Sequence, residues 1–170
     1  MKPNKTFRDL SPPILLSKRP LILFDGASAN GICGVGFVLK LVESKEIKGW
    51  LNAGRDSNTR VEIIGLWSGL YVARWRGVRE LFVAGDSQVI INWALDKALG
   101  LSLELFHWLN DSKGLMSEFN CCFCFHIYQE LMWMLILFQK LLWVSCTVKY
   151  IYLFFLNGSC HHRETVCFSR

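Results

Sequence analysis

An α/β domain with a five-stranded mixed sheet, its first three strands an antiparallel meander and helices on its faces, is the fold this sequence predicts. Three observations lead there. Leu21, Ile22, Leu23 and Phe24 form an apolar run with no polar face, the pattern of a central strand covered on both sides. Two more strand-like stretches follow with no helical spacing between them, and beyond residue 56 helical and strand-like segments interleave. A chain of 170 residues suits a single domain that buries about two thirds of its unfolded surface.

Residues 1–20 carry Lys2, Lys5, Arg8, Lys18 and Arg19 among Pro3, Pro12, Pro13 and Pro20, so they read as a basic leader or linker. The run 21–24 then delivers Asp25 onto a Gly-rich turn, DGAS; by itself that is also how an ordinary turn opens. Residues 31–36, GICGVG, are permissive backbone. They lack the Lys-Ser/Thr of a phosphate loop and do not fit GxGxxG, which argues against a nucleotide cradle. Strands are predicted over 35–42 and, more weakly, 46–52, with a polar turn at 43–45.

Asp56, Ser57 and Asn58 can cap a helix in which Ile64, Leu66, Trp67, Leu70, Tyr71 and Ala73 keep helical spacing up to Gly77. Glu62 is expected in its first turn, where the helix dipole alone would favour a carboxylate. Residues 81–84 form a short buried strand ending at Gly85-Asp86-Ser87-Gln88, and Asp86 or Ser87 caps a helix over 89–95. An amphipathic helix over 103–119 is expected to break at Gly114. The alternating stretch 121–128, CCFCFHIY, reads as the last strand.

The formal net charge of +5 suits a polyanionic partner without demonstrating one. Seven cysteines in irregular spacing, with no secretory leader, point to a reducing, intracellular compartment, nuclear or cytoplasmic. Cys122, Cys124 and His126 share one face of the last strand, a geometry hard to wrap around a tetrahedral ion, so the cysteines read as small buried apolar groups. Cys160, His161, His162 and Cys167 are a similarly unsupported metal hint.

Two strand-end aspartates and one helix glutamate, Asp25, Glu62 and Asp86, would supply hard oxygen ligands for a pair of Mg²⁺ ions, with Mn²⁺ as the alternative. Crowded carboxylates repel without cations, so metal dependence belongs to the expectation. The ordered set LILFDGASANG, SNTRVEIIGLWSGL, VRELFVAGDSQVIINW and FHIYQE, spanning residues 21–130, resembles the ribonuclease H-like domains of plants and plant retroelements. The resemblance implies that Asp25, Glu62 and Asp86 bind the catalytic metals and that the substrate is the RNA strand of an RNA–DNA hybrid. It also implies that Gly26, Asn58 and Gln88 touch the nucleic-acid backbone. No stable protein partner is implied.

After its HIYRE-like strand that family continues with Asn-x-x-Ala-Asp-x-Leu-Ser, whose Asp is a fourth metal ligand. Here residues 131–140 read LMWMLILFQK, and no acidic residue follows Glu130 until Glu164. Met132-Trp133-Met134 has only one coding sequence, ATGTGGATG, and one base earlier this forces Val then Asp. Permitted codons at the neighbouring positions extend the shifted reading to Asn-Val-Asp-Ala-Asp-Thr-Leu-Ser-Lys, the missing family segment. The sequence therefore points to a reading-frame slip, and 131–170 is expected to be a divergent hydrophobic tail that packs as a poor helix or promotes aggregation. Its longest uninterrupted apolar piece, 131–138, is too short for a membrane span, and Lys149 interrupts the next. Two rivals to a working nuclease remain: a catalytically inactive hybrid-binding remnant of a retroelement, and a membrane-tethered protein.

Overall fold

A computed structural model describes residues 19–29, 32–41, 45–54, 56–97, 102–130, 132, 147–156 and 159–168, with only the backbone described for 27–29 and beyond 132. Strand β1 (Leu21–Ala29) lies centrally, antiparallel to β2 (Ile32–Lys40) and parallel to β4 (Glu80–Gly85). Strand β2 pairs antiparallel with β3 (Lys45–Gly54), and β4 pairs parallel with β5 (Cys121–His126). These five strands form the expected mixed sheet with its meander. Three helices flank it: α1 (Asn58–Trp75), α2 (Gln88–Ala94) and α3 (Leu103–Ser117).

The apolar run of β1 is covered on both faces. Ile22 and Phe24 pack in one cluster with Val35, Phe37 and Leu39 of β2 and with Val61, Leu66 and Leu70 of α1. Leu21 and Leu23 join Ala84, Phe125, Ile127 and Met132 in a second cluster, with Val38 packed against it. Alternation along β1, β2, β4 and β5 divides their side chains between the two clusters, which pins the register. Cys122 and Cys124 pack against the cluster beneath the helices, consistent with small apolar groups.

Several boundaries differ from those expected. Strand β1 does not end in a turn at Asp25: it runs on to Ala29, and the Ile32–Gly36 part of GICGVG is strand, with Asp25 opposite Gly36 and Gly26 opposite Val35. Asp25 emerges from the sheet only on the β4 side, where pairing stops at Phe24 opposite Gly85. Helix α1 starts at Asn58, earlier than the apolar spacing suggested, because Ser57 is its N-cap and accepts from the Arg60 amide. Its first turn therefore holds no acidic residue, and Glu62 lies in the next turn. Helix α3 continues through Gly114, whose cost of about 1 kcal/mol relative to Ala is too small to break a helix buried at Leu109, Ser112 and Leu115. Strand β5 stops at His126, two residues early. The chain then makes a helical hydrogen bond from the Met132 amide to the Tyr128 carbonyl, at 3.0 Å.

The largest departure is the tail. Residues expected as a poor helix include β6 (Thr147–Leu156), and β7 (Ser159–Phe168) follows. Strand β6 adds parallel to β3 and β7 pairs antiparallel to β6, giving a seven-stranded sheet of order β5-β4-β1-β2-β3-β6-β7. The β-branched and aromatic content of β6 favours this pairing, and β3 without it would be an open edge. The leader at 1–18, the LMWMLILFQK segment apart from Met132, and the side chains of Cys160, His161, His162 and Cys167 lie outside what is described. Among the described residues, no helix is long and apolar enough to cross a membrane.

Candidate metal centre

Three elements deliver the carboxylates to one edge of the sheet. Asp25 is the first residue of β1 beyond its parallel pairing with β4, and Asp86 is the first residue after β4 itself. The parallel ladder stops just before both residues, which places them at the same end of β4, where ligands of α/β sheets collect. Glu62 comes from α1, which lies across β1 at very short range. A Cβ on Gly26 would stand 2.8 Å from Val61 Cγ1 and 3.0 Å from the Glu62 amide nitrogen. A Cβ on Gly69 would stand 2.7 Å from Ile22 Cγ2. Two glycines, one on the strand and one on the helix, thus allow the close contact that sets Glu62 beside Asp25.

The electrostatics register the convergence. Burial, and next the charge of Asp86, push the Asp25 carboxyl above its usual range, against the Gly26 amide that donates to it. Burial raises Glu62 most; a Ser87 hydrogen bond opposes this, and the charges of Asp86 and Asp25 add to it. Asp25 and Glu62 are thus raised by burial and by neighbouring negative charge, and hard oxygen donors at such an edge fit Mg²⁺ or Mn²⁺. Among the described residues no three His, Cys, Asp or Glu side chains close into a finished cage.

Ser87 occupies the N-cap position of α2 but makes no side-chain capping bond; its hydroxyl is directed to Glu62 instead. The other expected backbone contacts are placed as follows. Gly26 faces α1 and has a packing function, whereas Asn58 and Gln88 are exposed first residues of α1 and α2. Gln88 Nε2 donates to Asn92 Oδ1 at 3.0 Å.

Two residues at the site were not singled out from the sequence. Lys48 shares with Asp25 a cleft on the sheet face opposite α1 and pairs with Glu46 at 3.0 Å. His126, which lies in FHIYQE and was noted as a face partner of the cysteines, reaches the Asp86 carbonyl with Nε2 at 2.9 Å. Neither placement could be read from a motif, because each depends on a register that only strand pairing reveals.

The sequence pattern of a family described as reverse transcriptase-like matches residues 23–134. The chain belongs to that family. Its ribonuclease H-like fold is shared by several solved structures. RNase H1 from the halophilic archaeon Halobacterium salinarum superposes with a TM-score of 0.62 at 23% identity, covering 67% of this chain and 89% of that one. The N-terminal RNase H domain of a Mycobacterium tuberculosis protein gives a TM-score of 0.59 at 25% identity, covering 67% and 85%. LC11-RNase H1, solved with an RNA/DNA hybrid, gives 0.58 at 17% identity, covering 66% and 88%. No curated protein matches the sequence.

Proposed function

We propose that this ribonuclease H-like chain is a metal-dependent endonuclease that hydrolyses the RNA strand of RNA–DNA hybrids, leaving 3′-hydroxyl and 5′-phosphate ends. The observation that carries the reading is the placement of Asp25, Glu62 and Asp86 at one end of the sheet, where burial and the charge of Asp86 raise Asp25, and burial with the charges of Asp86 and Asp25 raises Glu62. A bound pair of Mg²⁺ ions would supply the acidified attacking water and the stabilised leaving oxygen. Asp25 and Asp86 would hold ions from the sheet edge and Glu62 from the helix, with Ser87 orienting Glu62. Gly26, Asn58 and Gln88 would lie along the nucleic-acid backbone, and recognition of RNA would rest on its 2′-hydroxyl and on helix shape. Structural likeness to a hybrid-bound RNase H1 supports a nucleic-acid partner.

The fourth carboxylate expected after β5 is absent, since no acidic residue lies between Glu130 and Glu164. We propose a frame slip as the reason, with the second ion weakly held and turnover reduced. That missing ligand favours one second reading, a remnant that binds hybrids without cutting them.

The test is Mg²⁺- and Mn²⁺-dependent cleavage of a labelled RNA–DNA hybrid by the full chain beside Asp86→Asn. Cleavage abolished in the variant establishes the nuclease. Hybrid binding without cleavage at any metal concentration overturns it in favour of the remnant.

A further inference from the structure

We infer that His126 is a positioning residue for the metal centre, acting through the single peptide that joins Asp86 to Ser87; the inference deepens the proposed function and rests on it. The parallel ladder between β4 and β5 ends with Gly85 opposite His126, and the Ile127 amide donates to the Gly85 carbonyl at 3.0 Å. One peptide further along, the Asp86 carbonyl is met by a side chain. His126 Nε2 lies 2.9 Å from it, in a partly buried setting. A carbonyl only accepts, so Nε2 carries the proton and the imidazole is the donor. The Tyr128 ring stands edge-on to the imidazole, with centroids 5.3 Å apart and planes at 81°, and constrains it from another side.

The peptide gripped in this way has a carboxylate at each of its reaches. Asp86 is its acyl side, and Ser87, its amino side, directs a hydroxyl to Glu62. Rotation of this peptide would move the Asp86 side chain and loosen the Ser87 support of Glu62 together. One imidazole hydrogen bond therefore orients two of the three carboxylates without touching any of them. Outer partners of this kind, when removed, typically cost 10–100-fold in metal affinity or activity.

The test uses the full-length chain with His126→Phe, which keeps the ring contact to Tyr128 but has no donor, and His126→Gln, which restores an N–H. In metal-free protein, imidazole nitrogen NMR is expected to place the His126 proton on Nε2; a proton on Nδ1 overturns the contact. With Mn²⁺ alone as the calorimetric probe, His126→Phe is expected to bind about ten-fold more weakly and His126→Gln to recover most of that loss. On a labelled hybrid, His126→Phe is expected to lower kcat and leave KM within about two-fold, because the contact orients the ions and not the duplex. Equal Mn²⁺ affinity in wild type and His126→Phe overturns the inference. If the wild type neither binds Mn²⁺ nor cuts, the proposed function fails separately. The inference is then decided by amide exchange at Ser87, expected to quicken in His126→Phe and, if unchanged, overturning it.

Discussion

Asp25 is the residue at which folding and the proposed metal binding oppose each other most directly. Burial and the charge of Asp86 raise its carboxyl, so the folded chain binds that proton more tightly than the unfolded chain does. Between the ordinary carboxylate value and the raised one, the native state holds more protons, so stability falls as pH rises through that window. The full penalty is present once the pH exceeds the raised value. Removing the charge should therefore stabilise the metal-free protein. Urea unfolding of Asp25→Asn in the presence of a chelator is expected to give a higher midpoint than wild type at about pH 7, with the difference shrinking toward about pH 4. The order should reverse in saturating Mg²⁺, which stabilises only a chain that can bind it. A wild type more stable than Asp25→Asn without metal would mean that Asp25 already has a countercharge within the fold.

Among the elements, the contact of α1 with β1 decides whether a metal centre exists. An added methyl at Gly26 meets Val61 and the backbone of Glu62, neither of which is the free end of a flexible chain, so the helix must move. Gly26→Ala is expected to cost about 1–3 kcal/mol and to weaken Mn²⁺ binding, measured by urea unfolding and calorimetry. Unchanged metal affinity would show that Glu62 does not depend on this close approach. Much of this contact was legible beforehand. The run at 21–24, the capping trio at 56–58 and the strand-Asp-Ser at 85–87 located β1, α1, β4 and the three carboxylates. What was not legible came from pairing between elements. Asp25 looks like a turn residue because strand-Asp-Gly opens turns, but β2 pairs with it and carries β1 four residues further. Glu62 looks like a first-turn residue because the apolar spacing begins at Val61, whereas the cap at Ser57 starts the helix earlier. The hairpin of β6 and β7 was written in the Asn157-Gly158 pair between two β-rich stretches, a strong short-range hairpin signal hidden by the length of the surrounding apolar run.

At the scale of the whole molecule, the fold is built from β1 to β5 and the three helices, and the family match over 23–134 stops where Met132-Trp133-Met134 stands. Met132 is 2% exposed in the cluster with Leu21, Leu23, Ala84, Phe125 and Ile127, so the chain leaves β5 by entering the face opposite α1. A segment opening a helix at that point would begin beside β5, whose end already reaches Asp86 through His126. A carboxylate within that segment's first turns is therefore well placed to complete the set begun by Asp25, Glu62 and Asp86, and the present residues offer none. Replacing 132–140 with Asn-Val-Asp-Ala-Asp-Thr-Leu-Ser-Lys is expected to tighten the weaker of two Mn²⁺ binding events by about ten-fold or more, because a direct ligand should exceed the lower limit set by outer partners. Hybrid cleavage should rise with it, while the first binding event, held by the three existing carboxylates, changes little. The same frame-slip proposal fixes the coding bases: Leu135 must be CTN for the shifted Ala, and Leu131 must end in A for the shifted Asn. Other codons at either position would sink the slip. If the codons fit and the replaced segment still leaves the second ion weak, the missing ligand is not what limits this site.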